Sequence, residues 1–337
     1  MPEAAFRWGI VGYGWVARDY MVPGIADAGG DLIAVADVSA DARRAAEVAG
    51  ARSYADPSTM IEENRLDAVY IATPNHLHAE AVEVCAAHNI SVLCEKPLAA
   101  DLSGVERIAT AAAGGTLIAA AFDQRHHPAH QVIREAVAMG RIGTPTVIRI
   151  VYCCWVDPTW TRGTGDNWRA LHGCAGGGAV LDLAPHGLDL AEYLTGESVD
   201  ALSMVFQRRI HDYDVEDGGV VTGRTESGIL FSAHATYSWP ENLPRRRLEV
   251  AGDSGMIVAS DTMGQDAGGH VTWLGADGGQ EELDFDRDAT PFARQAAAFQ
   301  KQARGRGDQF DFDRDLAAAR RFFAAYTAAG KDLPPCR

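Results

Sequence analysis

Phe6-Arg7-Trp8-Gly9-Ile10-Val11-Gly12-Tyr13-Gly14-Trp15-Val16-Ala17 decides the fold. A short apolar run with strand character feeds directly into a G-x-G-x-x-A turn, and a helical stretch, Val16 to Ala28, follows. The first glycine permits the tight turn. The second lets the backbone come close to a pyrophosphate, and the small third residue lets helix and strand pack tightly. Trp15 and Val16 then sit at a helix N-terminus whose free N–H groups and partial positive charge suit phosphate oxygens.

Working outward, Leu32 to Ala36 is a second strand. It ends at Asp37, 20 residues beyond Ala17, where a dinucleotide-binding domain places the carboxylate for the adenosine ribose hydroxyls. Asp37 also suits the N-cap of the helix expected over Ala40 to Ala49. A carboxylate here repels a 2′-phosphate, so NAD is favoured, while Arg43 and Arg44 leave NADP open. Leu66 to Ala72 is the next strand and runs into Thr73-Pro74-Asn75-His76-Leu77-His78. A helix continues to His88, where Asn89 tolerates the left-handed conformation of a helix end. Ser91 to Cys94 is a buried strand that delivers Glu95-Lys96-Pro97, and Pro97 stops it for want of an N–H. A helix over Leu102 to Ala113 leads to the apolar run Thr116 to Ala121. The pattern is a doubly wound parallel sheet of roughly six strands. Its carboxyl ends, where ligands bind in open α/β sheets, carry the glycine turn, Thr73, Asn75, His78 and Lys96. A loop lysine alone is usually only solvated, so Lys96 acquires meaning from its company.

Past Phe122 the pattern changes, which sets a first domain at 1–122 and a second at 123–337. Phe122-Asp123-Gln124-Arg125-His126-His127-Pro128 bridges them. A helix over Ala129 to Met139 precedes a strand, Thr146 to Tyr152. Residues 155–177 form a long loop with Trp155, Trp160 and Trp168. Aromatic faces there suit the C–H faces of sugars and cyclitols, with Asp157, Arg162, Asp166 and Arg169 for their hydroxyls. Asp182 and His186 share one helix face at i, i+4, although Pro185 disturbs that helix. Alternating runs at Ala201–Arg208, Gly219–Thr225, Gly228–Tyr237, Arg247–Ala251 and Gly255–Ala259 make an antiparallel sheet. Arg245-Arg246-Arg247 reads as a solvated strand end. Helices over Thr290 to Ala303 and Asp313 to Ala329, the latter capped by Asp313, close the chain.

The 337 residues carry a formal net charge of −16, which argues against nucleic acid or an anionic membrane as partner. No apolar run reaches a membrane span, and no leader is visible ahead of the first strand. The six cysteines are scattered without framework spacing, which fits a reducing cytoplasm. Cys153, Cys154, His172 and Cys174 are the best metal candidates. Neighbours on a strand point to opposite faces and no C-x-x-C occurs, so no metal site is expected.

Taken together and in order, the G-x-G-x-x-A turn, Asp37, Thr73-Pro74-Asn75-x-x-His78, Glu95-Lys96-Pro97, Trp168-Arg169, Gly176-Gly177-Gly178 and Asp182-x-x-x-His186-x-x-Asp189 resemble the glucose–fructose oxidoreductase / inositol 2-dehydrogenase / rhizopine-catabolism (Gfo/Idh/MocA) family. The resemblance covers nearly the whole chain. It implies a Rossmann domain followed by an α/β domain with a large, mostly antiparallel open sheet, and a substrate held between them. It also implies a homodimer or homotetramer formed through that sheet. NAD is expected on Gly12, Gly14, Trp15, Val16, Asp37, Thr73, Asn75, His78, Glu95 and Lys96. The substrate is expected on Lys96, Arg125, Trp168, Arg169, Asp182 and His186.

The chemistry so implied is hydride transfer between nicotinamide and a secondary alcohol of a sugar, cyclitol or amino-sugar-like polyol. His186, with an ordinary pKa of ~6.5, serves as base. Lys96 stabilises developing alkoxide, and Asp182 orients His186 or a neighbouring hydroxyl. Asp123, Asp157 and Asp166 point to an aminated sugar. The alternatives are relatives that retain NAD for glycoside cleavage or sugar–sugar oxidoreduction, and a non-enzymatic dinucleotide-binding regulator, which would need neither Lys96 nor His186.

Overall fold

The computed structural model describes residues 4–157, 159 and 167–330. Trp160, Arg162 and Asp166 therefore lie outside the described residues. Six parallel strands form the first sheet: β1 Phe6–Val11, β2 Gly30–Ala36, β3 Arg52–Tyr54, β4 Ala68–Ile71, β5 Ser91–Glu95 and β6 Ile118–Ala121. Their order is β3-β2-β1-β4-β5-β6, so the winding reverses between β1 and β4. Such a reversal opens a crevice beyond the carboxyl ends of the strands. Of the six, β3 was not located by sequence, because three edge residues carry no readable period. The helix after the glycine turn lies where expected but is wound loosely. Ala17–Met21 is a π turn and Val22–Asp27 an α-helix, with Pro23, which has no N–H to donate, at its start. Asn89 has φ +56° just beyond the helix His78–Ala87, as a left-handed helix end requires.

The second sheet has eight strands: β7 Pro145–Cys153, β8 Val199–Gln207, β9 Gly218–Thr225, β10 Leu230–Thr236, β11 Arg246–Gly252, β12 Gly255–Ser260, β13 His270–Gly275 and β14 Gln280–Glu282. The order is β14-β13-β12-β11-β7-β10-β9-β8, antiparallel except where β7 meets β10. Two-residue alternation divides its faces. Ile148, Ile150, Phe231, Ala233, Leu248 and Val250 are buried in one core with Leu181, Leu188 and Ala191 of the helix Ala179–Thr195. On the opposite face Val205, Val220 and Leu230 are 72%, 41% and 56% exposed.

The chain then returns to its beginning. Phe292, Ala296 and Phe299 of the helix Pro291–Ala303 are buried in one cluster with Trp8, Ile10 and Tyr70 of the first sheet. A boundary at residue 122 falls just after β6, but residues beyond it complete the first core. The last helix, Phe312–Gly330, begins earlier than the sequence reading placed it. Its cap is Asp311, whose Oδ1 accepts from the Arg314 N–H at 3.0 Å, and not Asp313, which lies inside the first turn. No helix of the described residues is long and apolar enough to cross a membrane.

Candidate active site

The crevice between the sheets holds a cavity of about 240 Å³. Trp15, Val16, Thr73, Asn75, His78, Glu95 and Lys96 line it from the first sheet, and Trp168, Arg169, Asp182 and His186 from the second domain. Gly12, Gly14 and Asp37 lie at the adjoining strand ends and do not line this cavity. Arg125 is elsewhere. It is buried, forms ion pairs with Asp189 and Asp315, and stacks on Phe122. A guanidinium enclosed this way ties the bridging segment to two helices and is not presented to a ligand in this cavity. Asp157 is exposed and accepts from Thr159 at the start of the long loop, outside the cavity.

At the centre, the Lys96 Nζ donates to Asp182 Oδ1 at 2.7 Å and to the Asp182 carbonyl at 2.9 Å. Pro185 has no N–H, so the Leu181 carbonyl four residues before it loses its partner in the helix ladder. The helix nonetheless runs unbroken from Ala179 to Thr195, and Asp182 and His186 stay on its one inward face. Tyr237 donates to Asp182 Oδ2 at 2.7 Å. His186 Nδ1 is buried without a hydrogen-bond partner among the described residues and faces Asp123 Oδ1 at 3.6 Å.

The start of this helix is fixed by a residue the sequence reading passed over. Glu216 accepts from the N–H groups of Gly178 at 2.9 Å, Val180 at 3.1 Å and Leu181 at 3.4 Å, and from the Tyr326 hydroxyl at 2.6 Å. The glycine run before it is steric in origin. Added Cβ atoms at Gly176, Gly177 and Gly178 would collide with Ala100, Tyr326 and Glu216 respectively.

The charges follow from burial and neighbours. Burial pushes Asp182 up, yet Lys96, Arg169 and the Tyr237 hydroxyl outweigh it and hold the carboxyl well below its ordinary range. Burial, reinforced by the Lys96 charge, pushes His186 well below 6.5. The expectation of an imidazole titrating near 6.5 is therefore corrected: His186 is neutral throughout the physiological range. Burial and the nearby Glu95 raise Asp123 to about 7, and burial raises Glu95, which accepts from Tyr70 at 2.5 Å.

His78 contributes in another way. Its Nδ1 lies 3.0 Å from the Pro97 carbonyl and its Nε2 2.9 Å from the Thr73 carbonyl, while burial lowers its pKa to about 4. A neutral ring donates to only one of these carbonyls. The ring thus spans the two loops that carry Thr73 and Lys96. Asn75 ties the same edge to the second domain through the Ala175 carbonyl at 2.8 Å.

The turn fits a dinucleotide. Gly12 has φ +89°, and a Cβ there would stand 2.7 Å from the Thr73 nitrogen. At Gly14 nothing lies within 4 Å of a Cβ position, so its backbone is open to close approach. Asp37 is not the cap of the following helix, a role taken by Ser39. Its carboxylate accepts from Tyr13 N–H and Ser39 N–H, each at 2.7 Å, and pins the glycine turn to β2. Arg43 is occupied by the carbonyls of Asp37 and Val38, and Arg44 by Asp41. Thr73 Oγ1 is buried without a partner among the described residues.

Sequence reading missed Arg245 and Arg246, which line the cavity and are not a solvated strand end. The signal was present: Arg246 alternates in step with Leu248 and Val250, the buried face of β11. Tyr237 was likewise visible only as a strand residue. Among the described residues no group of three or more His, Cys, Asp and Glu side chains is set to hold a metal.

Comparison with known proteins agrees with this architecture. Residues 6–121 match the model of an oxidoreductase family with an NAD-binding Rossmann fold, and residues 130–258 match the GFO/IDH/MocA C-terminal domain. The chain is 29% identical to 1,5-anhydro-D-fructose reductase of Ensifer adhaerens, over 89% of each protein. It is 32% identical to myo-inositol 2-dehydrogenase of Thermotoga maritima, over 68% of each. The fold matches a solved structure of aldose-aldose oxidoreductase from Caulobacter crescentus in complex with glycerol, with a TM-score of 0.86, 23% identity, and coverage of 97% of this chain and 98% of that one. The chain belongs to the Gfo/Idh/MocA family of oxidoreductases and carries that family's NAD-binding Rossmann domain.

Proposed function

We propose that the protein is an NAD-dependent dehydrogenase acting on a secondary alcohol of a sugar or cyclitol-like polyol. The observation that carries this reading is the Lys96–Asp182 pair, 2.7 Å apart, with His186 one turn further along the same helix face in one cavity. The dinucleotide, when bound by Gly12, Gly14, Asp37 and Thr73, supplies the hydride acceptor. Lys96 has three N–H donors and spends two on Asp182. The third is left for the substrate oxygen, where a fixed positive charge stabilises developing alkoxide. His186, neutral and with its Nδ1 turned to Asp123, takes the hydroxyl proton on its other ring nitrogen. Asp182, held ionised, keeps the ammonium in place and Tyr237 fixes its second oxygen.

The test is NADH absorbance with NAD, NADP and a panel of sugars and cyclitols. Accumulating NADH supports a dehydrogenase. Sugar interconversion or glycoside cleavage without it would mean a retained cofactor. K96M is expected to lower kcat by about 10³ while leaving NAD binding in place; unchanged turnover sinks the assignment. We further propose that the protein works in the reducing cytoplasm as a homodimer or homotetramer joined through the uncovered face of the second sheet.

A further inference from the structure

Among the described residues, Arg246 is a cavity cation without a counter-ion. It stands at the start of β11 and lines the cavity from the second sheet. Its Cζ lies 5.6 Å from the centroid of the Tyr152 ring, and the same ring meets His186 at 5.5 Å. The seat is shaped for it, since a Cβ at Gly264 would stand 2.6 Å from the Arg246 Nη1. Its Nε is buried and has no hydrogen-bond partner among the described residues. The other cations of the cavity are engaged: Lys96 with Asp182 at 2.7 Å, Arg245 with Glu241 at 3.7 Å, and Arg169 stacked on Trp168 at 4.3 Å. Among the described residues the cavity acids supply no spare partner. Asp182 is held by Lys96 and Tyr237, Glu95 by Tyr70, and Asp123 faces His186.

We propose that Arg246 receives a carboxylate of the substrate, so that the natural substrate is an acidic sugar derivative of the uronate or aldonate class and not a neutral polyol. This rests on the dehydrogenase reading of the same cavity. A guanidinium presents coplanar N–H donors that match the two oxygens of a carboxylate. A buried donor left without an acceptor is costly, and an incoming carboxylate relieves that cost. An aminated substrate, favoured by the acidic residues in the sequence, would set a further ammonium beside Arg246. Of the two of those acids among the described residues, Asp123 lines the cavity and is already turned to His186, while Asp157 lies outside it.

The experiment sets D-glucuronate and D-gluconate against D-glucose, and D-galacturonate against D-galactose, with two readouts. Thermal unfolding of the NADH-loaded protein is expected to rise more with at least one acid than with its neutral counterpart at equal concentration. Where turnover occurs, kcat/KM for that acid is expected to exceed the neutral value by about tenfold or more. R246Q is expected to lower the acid-to-neutral ratio by roughly 30-fold, chiefly through KM, and R246K to fall between, since it keeps the charge and loses the fork. If R246Q does not fold, R246K carries the comparison. No acid-dependent stabilisation, an unchanged ratio in the variants, or stronger binding of D-glucose 6-phosphate than of the acids would each overturn the proposal. Absence of NADH from every sugar, with Arg246-dependent stabilisation by an acid intact, would instead overturn the dehydrogenase reading and leave the carboxylate site standing.

Discussion

At Asp123 a single side chain sets the charge beside the base. Its carboxyl is buried, lies 3.6 Å from the His186 Nδ1 and is raised to about 7 by burial and by Glu95. As pH rises through that value the carboxyl ionises and favours a proton on the facing ring nitrogen, which leaves the other nitrogen as base. Activity is therefore expected to rise with pH through about 7. His186 cannot supply this limb, because burial and Lys96 place its own titration well below 6.5. The pH profile of kcat/KM for D123N tests the assignment. The limb near 7 should vanish and the plateau should fall by about tenfold or more; a limb that persists unchanged excludes Asp123 as its source. Sequence exposed the pairing of Asp182 and His186, because spacing along a helix is a local property, and Lys96 joined them only through the family resemblance. It did not expose the protonation states, which arise from burial by residues far away in the chain.

Among the elements, the helix Ala179–Thr195 depends on Glu216, which reaches its first turn from the segment ahead of β9. A carboxylate at a helix N-terminus satisfies free N–H groups and meets the positive end of the dipole. E216A leaves those buried N–H groups without acceptors and is expected to cost about 2–3 kcal/mol, with E216Q costing about half as much. Urea unfolding measures both, and a loss under about 0.5 kcal/mol in E216A would contradict the capping role. The sequence placed Asp182 and His186 on one helix face by their spacing, but Glu216 follows Gly178 by 38 positions and looked like any loop acid. The same distinction explains Asp311 and Asp313. Either residue suits a cap, and only the backbone path decides between them.

For the whole molecule, both sheets and most of their strands were legible from period and turn residues, but β3, β13 and β14 and the residues that unite the two halves were not. The uncovered face of the second sheet carries the assembly proposal. Val205 and Val220 are paired across β8 and β9 and stand exposed. If a second copy covers them, V220D puts a charge into the contact, and light scattering should record the mass falling toward that of one chain. An unchanged oligomer mass in V220D would place the interface elsewhere.

The return of Phe292, Ala296 and Phe299 to the first sheet also sets an order of events during synthesis. Strands β1 to β6 leave the ribosome first, in the usual N-to-C sequence. Trp8, Ile10 and Tyr70 then wait for a helix made about 170 residues after β6 is complete. Until that helix emerges, the Rossmann sheet keeps an apolar flank open to water, so the nascent chain offers chaperones a defined target there. The dinucleotide domain reaches its final form only after that helix has been made.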